Sequence, residues 1–342
     1  MTTRKDIENA LMRGADTLRD TIDAANYKDY VLPVMFLKYL SDSYADAVEA
    51  LSKQYSGIRL ERQKKYLPFM VAEGCSFYDL YKQRFADNIG QLINAAMRQI
   101  EADNNQQLAG VLSSVDYNSE NALGTREHKN AILRDMLEDF EPLNLRPSVI
   151  EIKEGQVPAD VIGDAYEYMI GQFASMAGKK AGSFYTPAAV SEIMARIVNV
   201  QPGERVYDPT CGSGSLLIKA AKKQNSKEVS IYGQEVNGSS VAMAKMNMYI
   251  HEIRDAKIGW GDTLANPVFL DADGNLLLFD AIVANMPFSK DKWASGFNPG
   301  GESSGKGKKE FKMEASLDKF HRFDWGVPPA SKGDWAFLLH MI

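Results

Sequence analysis

The sequence predicts an α/β domain of the Rossmann-like, nucleotide-binding type, preceded by an all-α domain. Three observations carry this. Beyond residue 188, short apolar or β-branched strand patterns alternate with helical ones, the sequence signature of a parallel sheet with crossover helices. One such strand, Val206-Tyr207-Asp208, runs into Pro209-Thr210-Cys211-Gly212-Ser213-Gly214 and then opens a helix. The first 145 residues instead carry apolar side chains at helical spacing.

Bulk properties set the frame. A chain of 342 residues is long enough to bury two cores, and 45% apolar with 25% charged residues is ordinary for a globular protein. No apolar run approaches the roughly 18 residues that would cross a membrane. The start, Met1 to Asp6, turns acidic at once and lacks the apolar core of a secretion signal. Cys75 and Cys211 stand in unrelated contexts, which argues against a disulfide framework or a zinc cluster and fits the cytoplasm. The net charge of −6 is uneven: residues 1–160 carry 19 basic and 25 acidic side chains, residues 161–342 carry 20 of each. A stand-alone DNA binder carries a net basic footprint. If this chain works on DNA, a local basic face or a partner must supply much of the grip.

The elements follow in order. Ile7, Leu11, Ala15, Leu18 and Ile22 predict a helix over 5–24. A second, buried on most sides, runs through Val34 to Leu40, with Pro33 in its first turn. Further helices are expected over 76–101 and 126–139, with the polar run Asp103 to Gln107 as a loop. Pro142, Pro147 and Pro158 mark a transition, which places the domains at 1–155 and 156–342. A helix over 160–173 then carries Ile162, Tyr166, Met169 and Ile170 on one side. Strands are expected at 205–208, 230–235, 257–260 and 277–284, and helices at 188–199, 214–223 and 238–252. Gly296 to Lys309, rich in Gly, Ser, Asn and Lys, reads as a mobile loop whose lysines either meet phosphate or belong to a solvated linker.

The glycine-rich turn lets backbone pass close to a ligand, and the helix it opens favours an anion; a tight turn without a ligand is the plainer reading. Glu235 ends the second strand, where a carboxylate accepts hydrogen bonds from ribose hydroxyls or stands as an exposed acid. Asp262 follows the third, placed to accept from an adenine amino group or to cap the next turn. Three acids after three successive strands are harder to explain as caps than any one alone. After the apolar run Leu276 to Ala284 comes Asn285-Met286-Pro287-Phe288.

These segments resemble a known family. Asp208-Pro209-Thr210-Cys211-Gly212-Ser213-Gly214 is similar to motif I of amino-methyltransferases, and Asn285-Met286-Pro287-Phe288 to their motif IV, in the order of the gamma group. Gly182-Ser183-Phe184-Tyr185-Thr186-Pro187 resembles motif X of that group, which touches the methionine part of the cofactor. Tyr27 to Pro33 with Phe36 to Asp42 resembles type I restriction-modification methyltransferase subunits. The resemblance implies methylation of adenine N6 in DNA with S-adenosyl-L-methionine. It implies Asn285, Met286, Pro287 and Phe288 as the catalytic set, with no metal. The cofactor would be held by Phe184, Tyr185, Thr186, Pro187, Asp208, Thr210, Gly212, Ser213, Gly214, Glu235 and Asp262. The implied partners are double-stranded DNA with a flipped adenine, a type I specificity subunit, a second modification subunit and a restriction subunit.

The motif suits that chemistry. An adenine amino group is a poor nucleophile because its lone pair is conjugated with the ring. Two acceptors, the Asn285 side-chain oxygen and the Met286 carbonyl, favour a pyramidal nitrogen with its lone pair aimed at the methyl. Phe288 offers a flat face to an extruded base. The family has proline where this sequence has Met286; the carbonyl is kept, and Pro287 still holds the preceding residue extended. Cytosine-C5 methylation is weakened as an alternative because its cysteine nucleophile usually follows proline and no Pro-Cys occurs, and His128, His251, His321 and His340 show no metal-ligand spacing.

Four strands can be placed where such a sheet has seven, and the helix Asp334 to His340 resembles motif V. The expectation is a portion of a longer subunit with one sheet edge uncovered. Three readings stay open: the DNA adenine enzyme, a catalytically silent interaction fragment, or amino methylation of cytosine N4, RNA guanine N2 or a glutamine amide.

Overall fold

The computed structural model describes residues 1–55, 66–178, 185–222, 228–288, 290–298 and 311–342. The chain forms two compact units, Met1–Ala181 with Lys245–Arg254, and Gly182–Ala244 with Asp255–Ile342.

The first unit is helical. Its opening helix, Arg4–Thr17, starts at a reciprocal cap in which the Thr3 side chain accepts from the Asp6 N–H and Asp6 accepts from the Thr3 N–H. The helix is shorter than the periodicity implies: it closes at Leu18, and Asp20 takes a left-handed φ of 67°. Ile22 therefore lies outside it. The helix Tyr27–Gln54 is longer than expected, and Pro33 sits in its interior rather than its first turn. Every residue from Tyr30 to Asp42 is buried. Burial on that scale outweighs the backbone hydrogen bond that a proline removes.

The expected helix over 76–101 is two, Phe77–Lys82 and Ile89–Asp103. The polar run after it is not a simple loop. Asn104 accepts from the Met70 N–H and donates to the Met70 and Ile100 carbonyls, and Asn105–Leu108 forms a helical turn. Arg126–Phe140 agrees with expectation, as does Pro158–Ala177, where Ile162, Tyr166, Met169 and Ile170 are all buried.

The second unit contains a parallel sheet of β1 (Arg205–Asp208), β2 (Ser230–Glu235), β3 (Lys257–Trp260) and β4 (Ala281–Ile282), in the order β3-β2-β1-β4. Tyr207 pairs with Tyr232 on one side and Ile282 on the other. β1 to β3 match their expected bounds. Of the expected strand over 277–284 the middle pairs with β1, the Asp280 and Val283 N–H groups donating to Arg205 and Tyr207, whereas the Leu277 N–H donates to Phe269 and Leu270 bridges Leu276 in antiparallel fashion. Ala188–Val198, Ser215–Lys222 and Gly238–Ile250 are helical, the last belonging partly to each unit. Among the described residues no helix is long and apolar enough to cross a membrane.

Candidate cofactor and amine site

The carboxyl ends of parallel strands, where the strand order reverses, form a natural crevice for ligands. Here the chain leaves β1 for β2 and β3 on one side and returns to β4 on the other. A cavity of about 340 Å³ opens at those ends, lined by Tyr185, Thr186, Asp208, Thr210, Gly212, Ser213, Glu235, Asp262, Asn285 and Pro287 among others. Residues distant in sequence thus meet because each closes or follows a strand of one sheet.

The glycine-rich turn is built for close approach. Gly212 and Gly214 take φ of 52° and 75°, which side chains bearing a Cβ rarely adopt. The Gly214 N–H donates to the Cys211 carbonyl at 2.7 Å, and the Cys211 N–H to Gln234 on β2. A Cβ on Gly233 would lie 2.9 Å from the Cys211 Sγ, so the small residue on β2 lets the turn sit down on the sheet. Cys211 is buried there as a packing residue.

Asp208 is almost fully buried, and its carboxylate accepts from the Thr210 N–H at 2.9 Å. Burial pushes its pKa up to about 7 against that hydrogen bond, and the Glu235 charge adds to the rise. Glu235, 6% exposed, accepts from the Gly212 N–H at 3.1 Å and the Asn237 N–H at 2.8 Å. Burial raises its pKa too, opposed by those backbone bonds and by the charge of Lys290. It is not the exposed strand-end acid of the plainer reading. Asp262 caps its turn, one oxygen accepting from Leu264 at 2.9 Å and Ala265 at 3.3 Å, while the residue also lines the cavity.

At the other wall Asn285 donates through its Nδ2 to the Thr186 hydroxyl at 3.1 Å. With the amide N–H engaged there, its oxygen is the acceptor left for a ligand. Pro287 also lines the cavity. Met286 packs against a buried cluster that includes Leu264, Trp293, Phe323 and Phe337. Met286 is not among the residues lining the cavity, although its neighbours Asn285 and Pro287 are, and its side chain serves that core, which gives the departure from proline a structural use. Phe288 is 81% exposed. Pro187 caps the helix Ala188–Val198 and Gly214 shapes the turn; neither is among the residues lining the cavity. Phe184 lies outside the described residues, as does most of the lysine-rich stretch up to Lys309. The start of that stretch is ordered and packed: Ser295–Phe297 is a 3-10 turn, and Phe297 joins the cluster around Trp293.

Sequence reading missed Asn237, Lys290 and Phe337, which also line the cavity. Only Lys290 carried a usable signal, as a cation five residues beyond Asn285. Among the described residues no group of His, Cys, Asp and Glu is arranged to hold a metal.

A parallel sheet with a glycine turn, acids after three successive strands and an Asn-x-Pro-Phe segment after the fourth is the arrangement from which the class of protein can be asked. The N-6 DNA methylase family matches residues 157–342 and the HsdM N-terminal domain matches residues 7–140. The chain belongs to the N-6 DNA methylase family, with an HsdM N-terminal domain ahead of the methylase region. It is 29% identical to the type I restriction enzyme MpnII methylase subunit of Mycoplasma pneumoniae, over 99% of this chain and 65% of that protein. It is 29% identical to the MjaVIII methylase subunit of Methanocaldococcus jannaschii, over 96% of this chain and 53% of that protein. The crystal structure of a type I restriction-modification methyltransferase subunit from Streptococcus thermophilus superposes with a TM-score of 0.73 at 30% identity, covering 99% of this chain and 71% of that one. The chain thus spans roughly half to two thirds of these curated relatives.

Proposed function

We propose that the cavity binds S-adenosyl-L-methionine and that the protein methylates adenine N6 in double-stranded DNA, as the modification subunit of a type I restriction-modification complex. One observation carries this: Asn285 faces the same cavity as Asp208 and Glu235. The residues present fit the cofactor. Two buried carboxylates, held by backbone N–H groups of Thr210, Gly212 and Asn237, suit a ligand bearing hydroxyls and positive charge. Gly212 and Gly214 leave room for its backbone-side approach. When bound, S-adenosyl-L-methionine supplies an electrophilic methyl group on a sulfonium.

The protein's own part is positioning. Tyr185 and Thr186 wall the methionine end, Asp208, Thr210 and Ser213 the turn, Glu235 the ribose and Asp262 the adenine, with Pro187 capping the helix that follows Thr186. The Asn285 oxygen and the Met286 carbonyl each accept one hydrogen of the target amino group. Thr186 holds the Asn285 amide in the orientation that presents oxygen. Pro287 keeps Met286 extended, and Phe288, exposed beside the cavity wall, offers a stacking face for a flipped base. The negative net charge supports work in company: a specificity subunit to read the sequence, a second modification subunit and a restriction subunit. The functional division at 155/156 belongs to the same proposal.

The test is labelled methyl transfer to DNA by the subunit purified with its specificity subunit. Asn285→Ala is expected to lower the rate about 100-fold or more while calorimetry shows cofactor binding retained. An unchanged rate would overturn the assignment.

A further inference from the structure

Outside the residues so far assigned, Arg322 is a densely bonded side chain of the second unit. It is 9% exposed and makes a forked ion pair with Asp318, Nη2 to Oδ1 at 2.8 Å and Nε to Oδ2 at 3.0 Å. The rest of the guanidinium is spent on one turn. Nη1 donates to the Thr263 carbonyl at 3.3 Å and Nη2 to the Leu264 carbonyl. The N–H groups of Leu264 and Ala265 are held by Asp262, and the Thr263 hydroxyl donates to the Pro209 carbonyl of the glycine-rich turn. The turn after β3 is thus gripped on its carbonyl side by Arg322, on its N–H side by Asp262, and through Thr263 by the cofactor loop.

Arg322 also reaches the helix Gly333–Met341, whose Phe337 lines the cavity: Nη1 lies 3.0 Å from the Nδ1 of His340. A guanidinium can only donate, so that nitrogen carries no proton. The other, Nε2, lies 3.3 Å from the Tyr207 hydroxyl, next to Asp208. One side chain therefore ties the Asp262 turn, the Phe337 helix and the end of β1 together.

We propose that Arg322, set by Asp318, is a positioning residue that aims Asp262 at the 6-amino group of the cofactor's adenine. It touches no cofactor itself. The inference rests on the cofactor reading above and names which residue gives that site its selectivity for the adenine base. A lysine at this position keeps the charge but offers three donors from a single nitrogen, and cannot reproduce the planar fork that serves a carboxylate, two carbonyls and His340 together.

The test is calorimetric titration of the intact subunit with S-adenosylhomocysteine and with its analogue lacking the 6-amino group. Wild type is expected to prefer the amino-bearing ligand. Arg322→Lys and Asp318→Asn should weaken that ligand about tenfold, as for loss of a charge-assisted hydrogen bond, and leave the desamino analogue within about twofold, collapsing the preference. A general loosening of the fold would weaken both ligands equally and would overturn the inference. So would a preference unchanged in both variants. If Arg322→Lys does not fold, Asp318→Asn alone decides between these outcomes. Wild type binding neither ligand would overturn the cofactor reading and this inference with it, whereas unchanged variants beside a binding wild type overturn this inference alone.

Discussion

In the helical unit Asp42 is fully buried and richly partnered: its oxygens accept from Lys38 Nζ at 2.6 Å, the Tyr78 hydroxyl at 2.6 Å and the Leu145 N–H at 2.7 Å. In the α/β unit Asp208 and Glu235 are buried almost as deeply, yet their hydrogen bonds come from backbone N–H groups and they face a cavity. The first arrangement satisfies a charge with a buried cation. Burial still draws the Lys38 pKa down, against the pull of Asp42. In the second, Lys290 and the backbone draw Glu235 down against its burial, while burial and the Glu235 charge push Asp208 upward. A buried carboxylate with its own cation holds a fold together, and one without it is poised for a ligand.

That contrast can be broken from either side. The largest effect is expected at Asp42→Ala, which leaves the buried Lys38 ammonium with the Tyr78 hydroxyl but no counter-charge. Removing one partner of a buried pair costs about 3–5 kcal/mol, read as a fall in the denaturant midpoint. A midpoint like that of wild type would dissolve the distinction.

Asp208→Asn should do the opposite. A carboxyl whose folded pKa is raised from 3.8 to about 7 favours the native state while protonated. That contribution is complete below the unfolded value and is lost as pH rises through about 7. The amide carries no such penalty, so at pH 8 the variant should be at least as stable as wild type. Its affinity for S-adenosyl-L-methionine should drop by about tenfold or more at that pH. Wild-type affinity should climb between pH 6 and 8 as Asp208 ionises, and the variant should be flat. A flat wild-type profile would count against Asp208 as a ligand-facing carboxylate.

The smallest effect is expected at Thr186→Val. Losing the hydrogen bond to Asn285 should cost about 1 kcal/mol, a several-fold fall in kcat that adds to whatever the lost cofactor contact does to KM. A change in KM alone would mean that Thr186 serves the cofactor and not the amide.

Much of this contrast was legible in the sequence, though unequally. β1, β2 and β3 were readable to the residue because each ends on the side chain or turn that carries chemistry: Asp208, Glu235, and Gly261 before Asp262. β4 was not, because Leu276 and Leu277 are as apolar as a strand requires yet pair back toward Phe269 and Leu270. Pro33 misled for a similar reason: a local rule about helix starts gave way to tertiary burial over Tyr30 to Asp42. At the site, Asp208, Glu235 and Asn285 declared themselves by their place after strands. Thr186 was visible as a motif, whereas its bond to Asn285, 99 residues away, was not. Arg322 gave no signal, since an arginine near the chain's end acquires meaning only from the carbonyls it meets.

The reversal of strand order between β1 and β4 has one more consequence. On the proposed reading the acids that meet the nucleotide, Asp208, Glu235 and Asp262, follow β1, β2 and β3, and the acceptor for the amine, Asn285, follows β4 on the far side of β1. The two recognition tasks then meet along one seam, bridged by the Thr186 bond to Asn285, but draw largely on separate stretches of chain. Variation after β4 would redirect such a protein toward a different planar amine while the strands beneath the nucleotide stayed intact, and the same scaffold would change its clientele without relearning its fuel.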